Sequence, residues 1–241
     1  MDLKVTIRQA GQLVDSSSRT IKRRLSRSVT VLEVARDRVL SAKVKFDVAK
    51  HTSSEVNRPT RSVEQAVTGR TYVVTREKDE LTVIDDQGKT PSAEELAIVK
   101  ASMDSVGRAN PLAEFFNRRT IAVGQTVKLP SKLAKSLFSA DETVGEVTRF
   151  DMTLKGVSRK TGGACAQFDT VIDTKAKGPA QPITRRTGQL EIELETCRTV
   201  ALDFSTPVTF TETRGPKRFP FIVTGKGTMT MAIRTRHGVR K

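Results

Sequence analysis

The feature that most constrains the fold is a strict alternation of apolar and polar side chains over several long segments. In the clearest case, every second residue from Phe219 to Ile233 is apolar or glycine. The same period of two runs through Val39–Lys50, Ala164–Asp173 and Leu190–Glu195. Because successive side chains of a strand point to opposite faces, each segment predicts a strand with one face on a core and one face in water. This pattern is typical of antiparallel sheets.

Helix signals are confined to the middle of the chain. Ser92 and Glu95 have the spacing of a capping box, in which each side chain accepts a hydrogen bond from the other residue's backbone N–H. Asn110-Pro111 and Ser131 are suited to begin two further short helices. Near the N-terminus, Asp15–Ser18 indicates a turn or loop. Because helices and strands do not alternate along the chain, a parallel βαβ sheet is not expected.

These patterns predict an α+β protein that is mostly β. We expect one large, curved antiparallel sheet of about ten strands, with a few central helices packed on its concave apolar face. No repeat or shift in composition marks a domain boundary. Residues 1–241 are therefore predicted to form a single domain, with residues 1–17 partly flexible.

The beginning of the chain bears on its compartment. No signal peptide precedes the first alternating segment, so we expect either a cytosolic protein or one whose leader has been removed. No apolar run approaches the roughly 18 residues that a membrane-spanning helix requires.

The distribution of charge is more informative than its sum. The net charge is +15; residues 1–70 and residues 214–241 each carry +8, whereas residues 71–213 carry −1. If the two ends of the chain pair in space, they form one basic surface.

The candidate anion-binding residues of that surface are Arg23, Arg24, Arg234 and Arg236. Base-stacking surfaces place aromatic side chains among the cations. The chain has no Trp and a single Tyr, and its Phe residues fall mainly on the apolar side of predicted strands, so sequence-specific nucleic-acid binding is not expected. A diffuse basic surface suits anionic membranes, lipopolysaccharide or other polyanions. The alternative is a solubilising surface with no dedicated partner.

The apolar face of the predicted sheet could enclose a hydrophobic ligand such as a lipid. Its candidate lining residues are Phe115, Phe116, Phe150, Met152, Met229 and Met231. A curved sheet under helices can equally have an ordinary filled core. Since both arrangements produce the same alternation of side chains, both interpretations stay open at this point.

No residue pattern in the chain carries recognisable catalytic or cofactor chemistry. The two histidines, His51 and His237, have no Cys or carboxylate at metal-ligand spacing. Gly225–Thr228 lacks the remaining positions of a phosphate-binding loop. Five carboxylates lie on polar strand faces and are expected to be solvated, although acid–base or cation-binding chemistry is the alternative: Asp169, Asp173, Glu191, Glu193 and Glu195. The sequence therefore predicts no catalytic residue, no metal site and no cofactor, and it indicates no oligomeric state.

The two cysteines, Cys165 and Cys197, are both out of phase with the apolar residues around them. A hairpin centred on Gln181 would place Cys165 opposite Cys197, within reach of a disulfide. Such a bond would indicate an oxidising compartment. The alternative is two unrelated thiols, which follows if Glu195–Arg198 forms a turn instead of part of a strand.

Four short segments carry a resemblance to known proteins: Gly69–Val74, Leu81–Glu95, Val123–Pro130 and Phe150–Val157. In these segments the chain resembles uncharacterised secreted or lipid-anchored β-rich proteins of Gram-negative bacteria, of the myxobacterial type. More distantly, the order of strands and helices is similar to the half-barrel of the lipoprotein-carrier family (the LolA and LolB type). That family binds acyl chains between a curved sheet and a helical lid. The resemblance supplies no catalytic residues.

The expected function is therefore a non-catalytic protein of the periplasm or cell envelope, with a cytoplasmic location as the alternative. In its sharper form, the protein binds a lipid or acyl chain between sheet and helices. The competing function is a polyanion-binding module that uses the basic terminal strands, and an enzyme is the third.

Overall fold

The computed structural model describes residues 1–36, 38–56, 58–117, 119–138, 146–160, 163–175, 183–216 and 218–236. Within these residues the chain forms twelve strands and three short helices, so the protein is mostly β. All pairings with a described register are antiparallel, in one large open sheet. None of the described helices is long and apolar enough to cross a membrane.

The sheet follows the hydrogen-bonded order β6-β5-β3-β2-β1-β12-β11-β10-β9-β8-β7, and β4 pairs with β3. The expected count of about ten strands was low, since the described residues form a sheet of twelve. The bounds of the strands are β1 (Asp2–Gln9), β2 (Gln12–Ala35), β3 (Arg38–Glu55), β4 (Arg61–Glu64), β5 (Thr71–Glu77), β6 (Glu80–Asp85), β7 (Thr126–Lys128), β8 (Glu146–Lys160), β9 (Gly163–Lys175), β10 (Ile183–Glu193), β11 (Thr199–Arg214) and β12 (Phe221–Arg234). The helices are α1 (Ala93–Ser102), α2 (Pro111–Phe116) and α3 (Ser131–Phe138).

The chain divides into two compact units. Unit 1 comprises Met1–Ser18 and Pro111–Lys241, and unit 2 comprises Arg19–Asn110. The prediction that residues 1–241 form a single domain stays a prediction. The turn predicted at Asp15–Ser18 is wrong, because these residues lie within β2. The chain reverses earlier, at Ala10-Gly11, where both residues have positive φ.

The core of unit 1 lies on one face of β8–β11. Cross-strand neighbours such as Phe150 and Ile172 are fully buried there, together with Phe168 and Leu190. Helix α2 supplies Leu112 to this cluster and α3 packs against β8. The alternating pattern therefore identified the buried side of these strands correctly.

The core of unit 2 is built from β3, β5, β6 and α1. Phe46 and Tyr72 are fully buried, with their rings edge to face at 6.0 Å, and Val99 of α1 packs in the same cluster. The predicted capping box is confirmed, since the Ser92 and Glu95 side chains each accept a hydrogen bond from the other residue's backbone. α1 therefore begins where the sequence predicted.

The predicted register of the β9–β10 hairpin is wrong by four residues. Cys165 pairs with Glu193, not with Cys197, and Phe168 pairs with Leu190. β10 ends at Glu193, a turn follows, and Cys197 lies beyond it with a φ of +51°. Gln181, the predicted centre of the hairpin, lies outside the described residues.

The predicted disulfide is absent from the structure. Cys165 is a buried thiol, contrary to its predicted position on a solvated face, and Cys197 is a half-buried thiol. The turn that the sequence left as the alternative is present, and it removes Cys197 from the strand that pairs with Cys165. The inference of an oxidising compartment therefore loses this support.

Candidate functional site

The apolar face of unit 1 continues beyond the part of the sheet where α3 packs. α3 contacts β8, which is separated from β12 by β9, β10 and β11. On β12, Met231 pairs with Phe204 of the core, so the alternate residues of β12 extend the same face. β1 adds a further row, because Leu3 pairs with Gly227 and Val5 with Gly225. The two ends of the chain therefore pair in space.

We refer to the half-exposed part of this face as the apolar strip. Its members lie on β1, β11 or β12, and the pairing of these strands places them side by side on one face. They are Leu3, Val5, Ile7, Val208, Phe210, Met229 and Met231. Because contiguous apolar side chains that remain partly in water indicate a binding surface, the strip is the strongest candidate for a hydrophobic-ligand site in unit 1.

The residues predicted to line a ligand site fall into two groups. Five of the six share the unit 1 cluster: Phe115, Phe116, Phe150, Met152 and Met231. Phe150 and Met152 are fully buried, so they fill the core and offer no surface to a ligand. Met229 lies outside that cluster, half-buried, two residues from Met231 on the same strand face.

The aromatic pair of α2 packs over the covered part of the face. Phe116 stacks on Phe168 with ring centroids 5.9 Å apart, and Phe115 contacts Phe116 edge to face. Arg119 lies over the Phe115 ring at 4.3 Å from its centroid, which is a cation–π contact. These two phenylalanines therefore already have partners within unit 1.

Glycine shapes the strip at one position. A Cβ atom at Gly225 would lie 2.0 Å from Cε1 of Phe210, because the Phe210 ring lies over the glycine. The residue Phe210 remains 38% exposed to solvent. A side chain at position 225 would therefore push Phe210 off the sheet face.

Two buried hydroxyls on the apolar side of the sheet were not identified from the sequence. Thr170 and Thr206 are each 1% exposed, and neither Oγ1 has a hydrogen-bond partner among the described residues. Thr206 pairs with Met229, so it lies beside the strip. Threonine is common in the strands of this chain, and no local pattern distinguishes these two. A polar group buried without a partner is a place where a ligand atom could bond.

The opposite face of the same strands carries a ladder of charges. Arg185 binds both carboxylate oxygens of Asp173, with Nε–Oδ1 and Nη2–Oδ2 distances of 2.9 and 3.2 Å. Arg149 pairs with Asp151 on its own strand and lies 4.0 Å from Asp173 Oδ2. These contacts hold the pKa of Asp173 below its ordinary value, first through the hydrogen bonds from Arg185. Opposite charges are matched within this ladder, so it has a structural role.

The four candidate anion-binding residues are divided between the two units, two in each. Arg23 and Arg24 lie on β2 in unit 2, whereas Arg234 and Arg236 lie at the end of β12 in unit 1. Arg234 donates from Nη2 to both carboxylate oxygens of Asp203 at 2.8 Å. Its charge is therefore largely matched within the protein.

The histidines give no metal site in the part of the chain that is described. His51 lies on β3, opposite Arg23, and His237 lies outside the described residues. Among the described residues, no group of three or more His, Cys, Asp or Glu side chains could hold a metal ion.

Comparison with models of known protein families found no match, and comparison with curated proteins found no similar sequence. The resemblance to secreted β-rich proteins and to the lipoprotein-carrier layout stays a prediction. Functional inference therefore rests on the geometry of the chain's own residues.

Proposed function

We propose that the protein is a non-catalytic binding protein for an acyl chain or a similar hydrophobic ligand, working outside the cytoplasm. The apolar strip is its binding surface, in a sheet that curves around the ligand as a concave wall. The observation that carries the proposal is the continuity of the strip with the unit 1 core: Met231 pairs with buried Phe204, while Met229 and Val5 remain half in water.

The chemistry of the strip favours a flexible, unbranched ligand. A ligand gains about 0.8 kcal/mol for each CH2 group that it buries. Two of the strip's side chains are methionines, which adapt to irregular apolar shapes. Gly225 and Gly227 lie on the same face as the strip, and the ring of Phe210 covers Gly225, so the strip is flat at these two positions of β12. An extended acyl chain fits such a shallow surface better than a rigid ring system.

A polar group of the ligand has a partner at the edge of the strip. The Thr206 hydroxyl is buried beside Met229 and has no bond to any described residue. The net charge of +15 favours a ligand whose head group is anionic. A fatty acid or an anionic lipid combines both features.

The test is binding of a fluorescent fatty-acid analogue, with mass spectrometry of lipids extracted from the purified protein. Met229→Lys places a charge in the strip and is expected to weaken binding at least tenfold. Thr230→Lys is the matched control, because residue 230 lies on the opposite, exposed face of β12. Equal affinities of the two variants, or no affinity in the wild-type protein, would overturn the proposal.

Polyanion binding is the second candidate function, and one pairing favours it. Lys4 and Lys226 lie directly opposite each other on β1 and β12. Two like charges in such positions destabilise a sheet, and a bound anion relieves the repulsion. Salt-sensitive retention on heparin, reduced in a Lys4→Gln, Lys226→Gln variant, supports this function. Unchanged retention of that variant contradicts the assignment to this pair.

A further inference from the structure

A second surface, in unit 2, combines unmatched positive charge with exposed apolar side chains. It is the part of the β2–β3 hairpin away from the connecting turn, together with β4. We define it as the basic ribbon: Arg19–Ser26, Val48–Glu55 and Arg61–Glu64. Ala49 is the only buried residue within these three segments, so both faces of the ribbon are accessible.

One pair of like charges lies across the ribbon. Arg24 pairs directly with Lys50, which pairs on its other side with Glu64 of β4. The ribbon carries six Lys or Arg residues against two carboxylates, Glu55 and Glu64. Glu55 is already engaged by Arg58 at 3.1 Å. Two carboxylates cannot neutralise six cations, so the ribbon keeps an excess of positive charge.

The cations of the ribbon differ from others in the chain. Arg70, Arg185 and Arg234 are each held by a carboxylate at 2.9 Å or less. Within the described residues, no ion pair involves the six cations of the ribbon: Arg19, Lys22, Arg23, Arg24, Lys50 and Arg61. Their charges therefore remain available to an external partner.

Apolar side chains share one face of the ribbon with Arg19, Arg23 and Arg61. The other cations of the ribbon, Lys22, Arg24 and Lys50, lie on the opposite face. Ile21 and Leu25 lie on the same strand face as Arg23, and Val63 is added to that face through the pairing of His51 with Val63. Leu25 and Val63 are 44% and 47% exposed. The ribbon contains no aromatic residue, so it lacks the stacking platforms that single-stranded nucleic acids use.

We propose that the basic ribbon docks on an anionic membrane surface. Arg19, Arg23 and Arg61 meet lipid phosphates and carboxylates, and Ile21, Leu25 and Val63 on the same face enter the boundary between head groups and acyl chains. A lipid interface offers both kinds of contact at once, which free polyanions do not. This inference is independent of ligand binding at the apolar strip, since the ribbon residues belong to unit 2.

The experiment is co-sedimentation of the full chain with vesicles of phosphatidylcholine alone or with about one third phosphatidylglycerol. We expect binding only to the anionic vesicles, with release at high salt. The variant Arg19→Gln, Arg23→Gln, Arg61→Gln is expected to bind on the order of 100-fold more weakly, at roughly fivefold for each cation removed. These three side chains are exposed and take part in no ion pair among the described residues, so this variant is expected to unfold close to the wild-type temperature.

The matched control removes three exposed cations elsewhere: Lys89→Gln, Lys100→Gln, Lys128→Gln. It changes the net charge equally and is expected to retain binding within a few-fold. Equal losses in both variants would overturn the proposal, because net charge alone would then explain binding. Retention on duplex DNA without vesicle binding would also overturn it. Leu25→Ser tests the apolar contribution and is expected to weaken vesicle binding without changing retention on heparin.

Ligand binding at the apolar strip and membrane docking of the basic ribbon can be contradicted independently of each other. The triple ribbon variant is expected to bind the fluorescent fatty acid like wild type, and Met229→Lys is expected to bind anionic vesicles like wild type. Loss of vesicle binding in Met229→Lys alone would assign membrane contact to the apolar strip and would overturn the ribbon's role.

Discussion

The hydroxyl of Tyr72 donates a 2.6 Å hydrogen bond to Glu95 Oε1 in the interior of unit 2. Arg70 Nη1 lies 2.7 Å from the same oxygen, and Ser92 donates to Oε2 from both its backbone nitrogen and its hydroxyl. One carboxylate therefore joins β5 to the first turn of α1. The hydrogen bonds from Ser92 and Tyr72 lower the pKa of Glu95 to about 2, against the opposing effect of burial.

Glu95 is expected to make the stability of the protein depend on acid pH. Its folded-state pKa lies below its ordinary value of 4.5, so its stabilising effect is complete above pH 4.5 and is lost as the pH falls towards 2. Glu95→Gln should therefore unfold at lower urea than wild type at pH 7, with the difference narrowing near pH 3. Glu94→Gln, one residue earlier and exposed, is the control and should show neither effect. A constant difference between Glu95→Gln and wild type from pH 7 to pH 3 would contradict the prediction.

Two strand glycines are expected to respond differently to the same change. At Gly188 an added Cβ would lie 1.9 Å from the backbone oxygen of Asp203, which cannot move without distorting β11. At Gly225 the three nearest atoms all belong to the ring of Phe210, whose side chain can swing into water. We expect Gly188→Ala to lower the free energy of unfolding by about 3 kcal/mol and Gly225→Ala by about 1 kcal/mol. Urea denaturation measures both, and equal losses would contradict the account of Phe210.

The Asp173 pairings are expected to stabilise unit 1 more than the exposed ion pairs on the same strand. Asp173→Asn removes the charge that Arg149 and Arg185 share, and its side chain is only 11% exposed. The expected loss is about 2 kcal/mol, as for other hydrogen bonds to charged groups. Asp169→Asn is the control, because Asp169 is 48% exposed and pairs with Lys155 at 3.3 Å. Its expected loss is below about 1 kcal/mol, and the reverse order in thermal unfolding would refute the prediction.

Local features of the fold were predictable from the sequence because their determinants are adjacent in the chain. The capping box of Ser92 and Glu95 needs only two residues three apart. The alternation through Phe168 and Ile172 assigns the buried face without reference to any partner strand. Burial of Phe150 and Met152 followed from the same rule, as did the placement of Met229 and Met231 on one face.

Register was not predictable, because it depends on where distant segments turn. The β9–β10 pairing differs from the predicted one by four residues, an even number. An even shift exchanges partners without changing faces, so Phe168 stayed on the core while Cys165 lost Cys197 as its opposite residue. The charge ladder of Arg149, Asp173 and Arg185 was missed for the same reason, since it exists only through correct pairing across three strands.

The sequence showed that both ends of the chain are basic, but it did not show which basic residues pair with carboxylates. The N- and C-terminal strands pair, as expected if the ends meet, and bring Lys4 opposite Lys226. Arg234 is instead matched by Asp203, a contact that no pattern in the sequence indicates. The unmatched cations at Lys22, Arg23, Arg24 and Lys50 emerge only once β2 is paired with β3.

The two cysteines are expected to remain separate thiols with different accessibilities. Cys165 is buried on β9, and Cys197 follows the turn after β10, where burial raises the pKa of its thiol. Mass spectrometry of the purified protein with and without reductant should give the same mass, and unfolded protein should show two titratable thiols. In the native protein at pH 7, alkylation is expected to be slow at Cys197, because little thiolate is present, and slower still at Cys165. Cys197→Ser identifies the faster site by removing it. A mass lower by two hydrogens without reductant would restore the disulfide, and with it the argument for an oxidising compartment.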